Sequence, residues 1–228
     1  MVSVITCTIR NENIDQVLEN YNRQSWKDKE LIIILNKDSM DINHWKKKCG
    51  KFSNVRVFQL PSEQTLGECL NFGIEKANHD YIAKFDDDDY YASYYLEEAM
   101  NAFKNTNADI VGKDSYYSYI TRRELLVLRM KKQNQYVWRV AGATLVFKKS
   151  IMKKVKFTNK QNGGSDTVFQ ADCRKNGYKI YCTSQYNFVV IRNNPESHTW
   201  KINEEFYLSG CRIIAITKDF KRYIERGK

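Results

Sequence analysis

Residues 65–91 read TLGECLNFGIEKANHDYIAKFDDDDYY, and this stretch decides the fold. Its first part places apolar residues at Leu66, Leu70, Ile74 and Ala77, the spacing of a helix with one buried face. Residues 81–85 (YIAKF) then form a short, mostly apolar run of strand character. Asp86, Asp87, Asp88 and Asp89 end it. They stand in a basic chain, with 37 Lys+Arg against 27 Asp+Glu and a formal net charge of +10. Adjacent carboxylates raise each other's pKa unless a cation sits among them. Oxygen-only clusters suit hard divalent cations. The tetrad therefore reads two ways, as a metal site at a strand end or as a solvated acidic turn.

The same alternation extends on both sides. Residues 2–8 read as a strand, and Ile14, Val17, Leu18 and Tyr21 mark a helix over 14–22. Residues 30–35 (ELIIIL) are apolar on both faces, as in a central parallel strand. Asp41 is placed to cap a helix over 41–49, and residues 55–59 form a third strand. Ser93 is placed to cap a helix running to about residue 104. Strand–helix repetition of this kind predicts an α/β fold, an open and mostly parallel sheet with helices on both faces. Such sheets bind ligands beyond the carboxyl ends of their strands, where the four aspartates fall. The second half is less regular. It suggests a hairpin over 115–120 and 124–129, a strand over 143–147 and a short helix from Ser150. A loop, Asn162-Gly163-Gly164-Ser165, precedes a helix over 167–175 that ends at Gly177. Strands follow over 178–182 and 188–192, then a terminal helix over 204–226 with a basic end.

A length of 228 residues fits one domain, or a domain with a subdomain. Apolar residues make up 42% and only two prolines occur, which excludes a disordered chain. No run approaches a membrane span, and the start is already strand-like, so no signal peptide is expected. None of the six cysteines forms a CxxC pair, which points to core thiols in a reducing, cytoplasmic setting. The positive charge implies anionic partners: nucleotide phosphates, nucleic acid or an acidic membrane surface. The terminal helix, with Arg212, Lys218, Lys221, Arg222 and Arg226, reads as a peripheral membrane contact, a homodimer contact or a solvated end.

Residues 65–91 resemble the segment of family 2 glycosyltransferases in which an LG…LN…GI…A helix leads into an aspartate-rich DxD strand end. VSVITCTIRNE and QSWKDKELIIIL resemble that family's first strand–helix–strand unit. AGATLVFKKSIM and GGSDTVFQADCRKNGYKIY resemble its acceptor-side strand and its ED-type helix. The likeness runs over roughly residues 2–199, with its parts in the family's order. It implies a GT-A fold in one domain. Residues 1–110 or so would form the nucleotide-sugar half, about 111–200 the acceptor side, and about 201–228 a helical tail. It also implies transfer of a sugar, with inversion, from a nucleotide-diphosphate sugar to a glycan, lipid-linked or protein hydroxyl, assisted by Mn2+ or Mg2+, in bacterial cell-surface glycan synthesis.

By the same resemblance Asp88 is the direct metal ligand. Asp86 or Asp87 meets the donor ribose or the metal's water shell, and Asp89 supports the loop. Asp166 stands where the ED motif puts its second acid and is the expected base; the bare residue pattern fits a helix cap equally well. Ser165 replaces the family's Glu. Thr8 and Arg10 follow the first strand, where the nucleoside lies, and Thr65 and Leu66 line the same pocket. Asn36-Lys37-Asp38-Ser39 replaces the family's acidic DDGS. Either Asp38 takes over the base contact, or backbone and Asn36 hold it; UDP- or dTDP-sugars are the favoured donors. His198 is a possible metal or diphosphate ligand, Arg192 either a phosphate partner or a solvent-facing strand end, and Trp200 a donor cover or a core residue.

Two other classes compete. A nucleotidyltransferase would also use an acidic metal site, yet residues 8–13 (TIRNEN) lack the glycines that hold a triphosphate. No GxGxxG or GxxxxGK[ST] occurs. A non-catalytic module binding nucleic acid or a glycan would use the basic charge and the aromatics Tyr90, Tyr91, Tyr94 and Tyr95. An acidic tetrad repels nucleic-acid phosphates, so no nucleic-acid partner is expected.

Overall fold

The computed structural model describes residues 1–52, 54–159, 164–193 and 202–226. The first half runs β1 (Val2–Thr8), α1 (Ile14–Asn22), β2 (Lys29–Leu35), α2 (Ile42–Cys49), β3 (Val55–Gln59), α3 (Leu66–Lys76), β4 (Tyr81–Lys84), β5 (Tyr90–Tyr91) and α4 (Tyr95–Asn105). The second runs β6 (Ile110–Gly112), β7 (Tyr116–Ile120), β8 (Leu125–Arg129), β9 (Gln135–Tyr136), β10 (Val146–Lys148), α5 (Ser165–Lys175), β11 (Ile180–Cys182), β12 (Phe188–Arg192), α6 (Glu204–Ser209), β13 (Arg212–Ile216) and α7 (Lys221–Ile224).

β1 is buried because it lies between two parallel neighbours, β2 and β4, and β3 adds to the far side of β2. Parallel neighbours need crossovers, which α1, α2 and α3 supply. Alternate strand residues face opposite sides. Val2, Val4, Leu31 and Ile33 pack with Val17, Leu18 and Tyr21 of α1 and Trp45 of α2. Ile5, Ile32 and Ile34 pack with Leu70 and Ile74 of α3 on the other side. Asp41 caps α2 by accepting from the amides of Asn43 and His44.

The large sheet has the order β3-β2-β1-β4-β10-β6-β11-β9, and a second sheet the order β13-β8-β7-β12-β5. The second sheet draws β5 from the first half of the chain, and the large sheet draws β6, β9, β10 and β11 from the second. The chain halves therefore interleave. The hairpin expected over 115–129 forms as β7 and β8.

Four sequence expectations are corrected. Residues 204–226 do not make one helix. Gly210 ends α6, and the β-branched run of Arg212–Ile216 pairs antiparallel with β8 instead. The basic residues of this segment thus share no single helix face. Ser93 does not cap α4, whose N-cap is Tyr94 without a side-chain bond. The strand expected over 143–147 begins later, because Gly142–Thr144 forms a 3-10 turn ahead of β10. The cap of α5 is Gly164, at φ 78°, so Asp166 lies inside the first turn and caps nothing. All six cysteines are free. Among the described residues no helix is long and apolar enough to cross a membrane.

Candidate active site

The four aspartates follow β4 at the carboxyl end of the parallel strands, and each does something different. Asp87 is buried and accepts from Thr8 Oγ1 at 2.5 Å, Arg10 Nη1 at 2.6 Å and Asn13 Nδ2 at 3.2 Å. Burial and the neighbouring Asp88 charge push its carboxyl up to about 6, against the pull of Thr8 and Arg10. Asp89 is also buried. Its Oδ1 accepts from the Ile191 amide at 3.0 Å, and its carbonyl accepts from Gln16 and Asn20 of α1. It ties the loop to β12 and α1, as a supporting residue should. Asp86 and Asp88 are the open pair, with side chains 34% and 26% exposed. Arg10 reaches Asp88 Oδ2 at 3.2 Å. Burial and Asp86 push the Asp88 carboxyl up.

Lys84, only 3% exposed, donates to Asp86 Oδ1 at 2.5 Å and lies 3.5 Å from Asp166 Oδ2. Burial would lower its pKa, but the carboxylates of Asp166 and Asp86 outweigh burial and raise it, so the ammonium stays charged. Asp166 is thereby brought beside the tetrad from α5, eighty residues away in sequence. Burial pushes its carboxyl up, Lys84 opposes, and Asp86 adds to the rise. Its Oδ1 is buried without a hydrogen-bond partner.

The remaining predicted residues divide. The Asn36 amide donates to Thr8 O at 2.9 Å, which sets the loop after β2 beside the end of β1. Within that loop Asn36 Nδ2 donates to Pro61 O, and Asp38 accepts from Ser62 Oγ at 2.8 Å. Thr65 caps α3 in a reciprocal box with Glu68, and Leu66 opens that helix, 42% exposed. Of these four, Asn36 is tied to Thr8, and Asn36 and Asp38 join the loop after β2 to residues 61–62 ahead of α3. Arg192 follows Ile191, whose amide donates to Asp89. It is buried at the end of β12 rather than facing solvent, with its guanidinium 4.7 Å from the Tyr207 ring centre. His198 and Trp200 lie outside the described residues.

Three participants escaped the sequence reading: Lys84, Tyr91 and Gly142. Tyr91 is fully buried, its ring stacked on Phe85 at 3.8 Å. Its hydroxyl accepts from the Asp86 amide and donates to Ala143 O. The tyrosines beside the tetrad are thus scaffold: Tyr90, Tyr91 and Tyr95 are all buried, and none of these three offers a face to a sugar or base. The signal for Gly142 was only its place in AGATLVF.

A hard cation held with a diphosphate needs one or two protein carboxylates, the phosphates supplying the rest. Asp86 and Asp88 fit that demand. Among the described residues no group of three or more His, Cys, Asp or Glu forms a closed cage.

Residues 3–162 match the family described as Glycosyl transferase family 2. The chain belongs to this family. The transferase is 25% identical over 221 residues to an uncharacterized glycosyltransferase of Haemophilus influenzae, covering 90% of this chain and 86% of that one. It is 30% identical over 122 residues to the cholesterol galactosyltransferase of Borreliella burgdorferi, covering 52% of this chain and 34% of that protein. Its fold matches S. aureus TarS in complex with UDP-GlcNAc at a TM-score of 0.71 and 16% identity, over 90% of this chain and 63% of that one. It also matches the mannosyltransferase PcManGT of Pyrobaculum calidifontis, in complex with GDP-Man and Mn2+, at 0.62 and 15% identity, over 84% of this chain and 56% of that one. The transferase thus has the GT-A fold and spans less than two thirds of these two structures.

Proposed function

We propose that this protein is an inverting, divalent-metal-dependent glycosyltransferase that moves a sugar from a nucleotide-diphosphate sugar to an acceptor hydroxyl. One observation carries the reading. Asp86 of the tetrad and Asp166 of α5 come from distant parts of the chain and meet at one buried ammonium, Lys84. A leaving-group site and a base are thereby set side by side.

As the bond from the anomeric carbon to the diphosphate oxygen breaks, negative charge gathers on the diphosphate. Asp88 and Asp86 would hold a Mn2+ or Mg2+, which would supply positive charge there. The sugar carbon becomes oxocarbenium-like, and an acceptor hydroxyl attacks from the opposite face. Asp166 takes the hydroxyl proton as the new bond forms, and a single displacement inverts the centre. Arg10 stands 3.2 Å from Asp88 and orients it. Asn36, Asp38, Thr65 and Leu66 form the nucleoside rim. Roles for Arg192 and His198 at the diphosphate rest on the sequence resemblance alone.

Relatives carry uridine and guanosine donors, so UDP-, dTDP- and GDP-sugars are the donors to test, the first two ahead. The acceptor is a glycan, lipid-linked or protein hydroxyl in cell-surface glycan synthesis; a cholesterol galactosyltransferase among the relatives supports a lipid. The test is manganese-dependent release of nucleoside diphosphate from each donor, with the product anomer read by NMR. Asp166→Asn should lower turnover about 100-fold or more, the usual worth of a general base, and leave nucleoside diphosphate binding nearly intact. Asp88→Asn should weaken manganese-dependent binding itself. No release from any donor, with tight salt-sensitive binding to nucleic acid, would overturn the reading.

A further inference from the structure

The turn between β9 and β10 contains no titratable side chain over residues 141–145, yet the site grips it at three consecutive carbonyls. Lys84 Nζ donates to Gly142 O at 3.4 Å, Tyr91 Oη to Ala143 O at 2.7 Å, and Tyr95 Oη to Thr144 O at 2.8 Å. All three donors come from the segment that carries the tetrad, residues 84–95, and all three are buried. Two of them also touch Asp86: Lys84 through its carboxylate and Tyr91 through its amide.

The turn in its place receives Asp166. A Cβ added to Gly142 would lie 2.7 Å from Asp166 Cγ and 2.8 Å from its Cβ, inside any real contact distance. The carboxylate of Asp166 therefore occupies the space where a side chain at position 142 would be. Lys84 holds one of its oxygens, Oδ2, while Oδ1 has no partner. Gln170, one turn further along α5, ties the helix to the segment just before the turn through both Val140 N and Val140 O.

We infer that Lys84, Tyr91 and Gly142 form a seat that fixes the Asp166 carboxylate against the Asp86 side of the site. The seat rests on the reading of Asp166 as the base. These three are positioning residues: Lys84 by a shared ion pair, Tyr91 by a bridging hydroxyl, Gly142 by a missing side chain. Displacing a base by about 1 Å can cost on the order of 100-fold in rate, so geometry of this kind is visible in turnover.

The experiment measures manganese-dependent nucleoside diphosphate release from the best wild-type donor, with water or added acceptor, and calorimetric binding of that nucleoside diphosphate with manganese. Lys84→Met, Gly142→Ala and Tyr91→Phe are compared with Asp166→Asn. Tyr91→Phe keeps the ring stacking and is the variant safest for folding. Thermal melting shows which variants are folded at the assay temperature. Turnover should fall at least 30-fold in Lys84→Met and Gly142→Ala and about tenfold in Tyr91→Phe, with binding changed less than threefold in all. If Asp166→Asn is inactive while folded seat variants keep turnover within threefold, the seat is wrong and the base stands. If binding falls as far as turnover, the three serve the donor instead, and the inference fails. Wild-type turnover in Asp166→Asn would remove the base itself.

Discussion

At the residue scale, the environment of the proposed base, Asp166, sets a pH dependence. Burial raises its pKa, Lys84 opposes and Asp86 reinforces the rise, for a net value above the ordinary 3.8. Only the carboxylate accepts a proton, so turnover should fall as pH drops through that raised value. The acid limb of kcat should therefore lie clearly above 3.8; a limb at or below it would contradict the raised pKa. The sequence showed Asp86 through Asp89 and Asp166 by residue type and order. It did not show Lys84, Tyr91 or Gly142. Lys84 meets Gly142 across 58 positions and Tyr91 meets Ala143 across 52, and no local pattern encodes such contacts. Asp87 was legible as an acid but not as the anchor of Thr8 and Arg10, since burial decides that role.

Elements were legible where their signals were local. The cap at Asp41 and the periodic helices of the first half needed nothing beyond neighbouring residues. β13 was not legible, because its alternative to helix is a partner, β8, more than eighty residues earlier. The parallel strands also carry a non-local brace at their opposite end. Glu30, at the start of β2, accepts from Ser3 Oγ of β1, from the amide and side chain of Asn78, and from Arg56 of β3. Burial would raise its pKa, but these bonds win and lower it. A lowered folded pKa means the stabilisation is present above the unfolded value, near 4.5, and is lost as pH falls through the folded value. Glu30→Gln should cost about 1–3 kcal/mol near pH 7. The gap in melting temperature from wild type should narrow in acid. A gap independent of pH would show that the charge on Glu30 is not what braces the strands.

Across the whole molecule, the two sheets meet at a buried ion pair away from the catalytic cluster. Lys113, just past β6 of the large sheet and 1% exposed, donates to Glu98 of α4 at 3.0 Å, to Thr183 Oγ1 and to Ser184 O. Glu98 also accepts from Ser184 N and Oγ and from Asn187 Nδ2, in the stretch leading from β11 to β12. That stretch is where the chain leaves one sheet for the other, so the pair fixes their junction. Burial opposes the charge on both partners. It lowers the Lys113 pKa on balance, whereas the bonds to Glu98 keep that carboxyl low. The two ends are unequal. Lys113→Met leaves Glu98 with three donors from Ser184 and Asn187. Glu98→Ala leaves the Lys113 ammonium buried with only Thr183 and Ser184 O, and should cost about 3–5 kcal/mol. The double variant Glu98→Leu/Lys113→Met removes both charges and should recover much of that loss. Denaturant unfolding of the set decides it: losses that simply add would mean that the two charges act independently, and that the junction is held by packing alone.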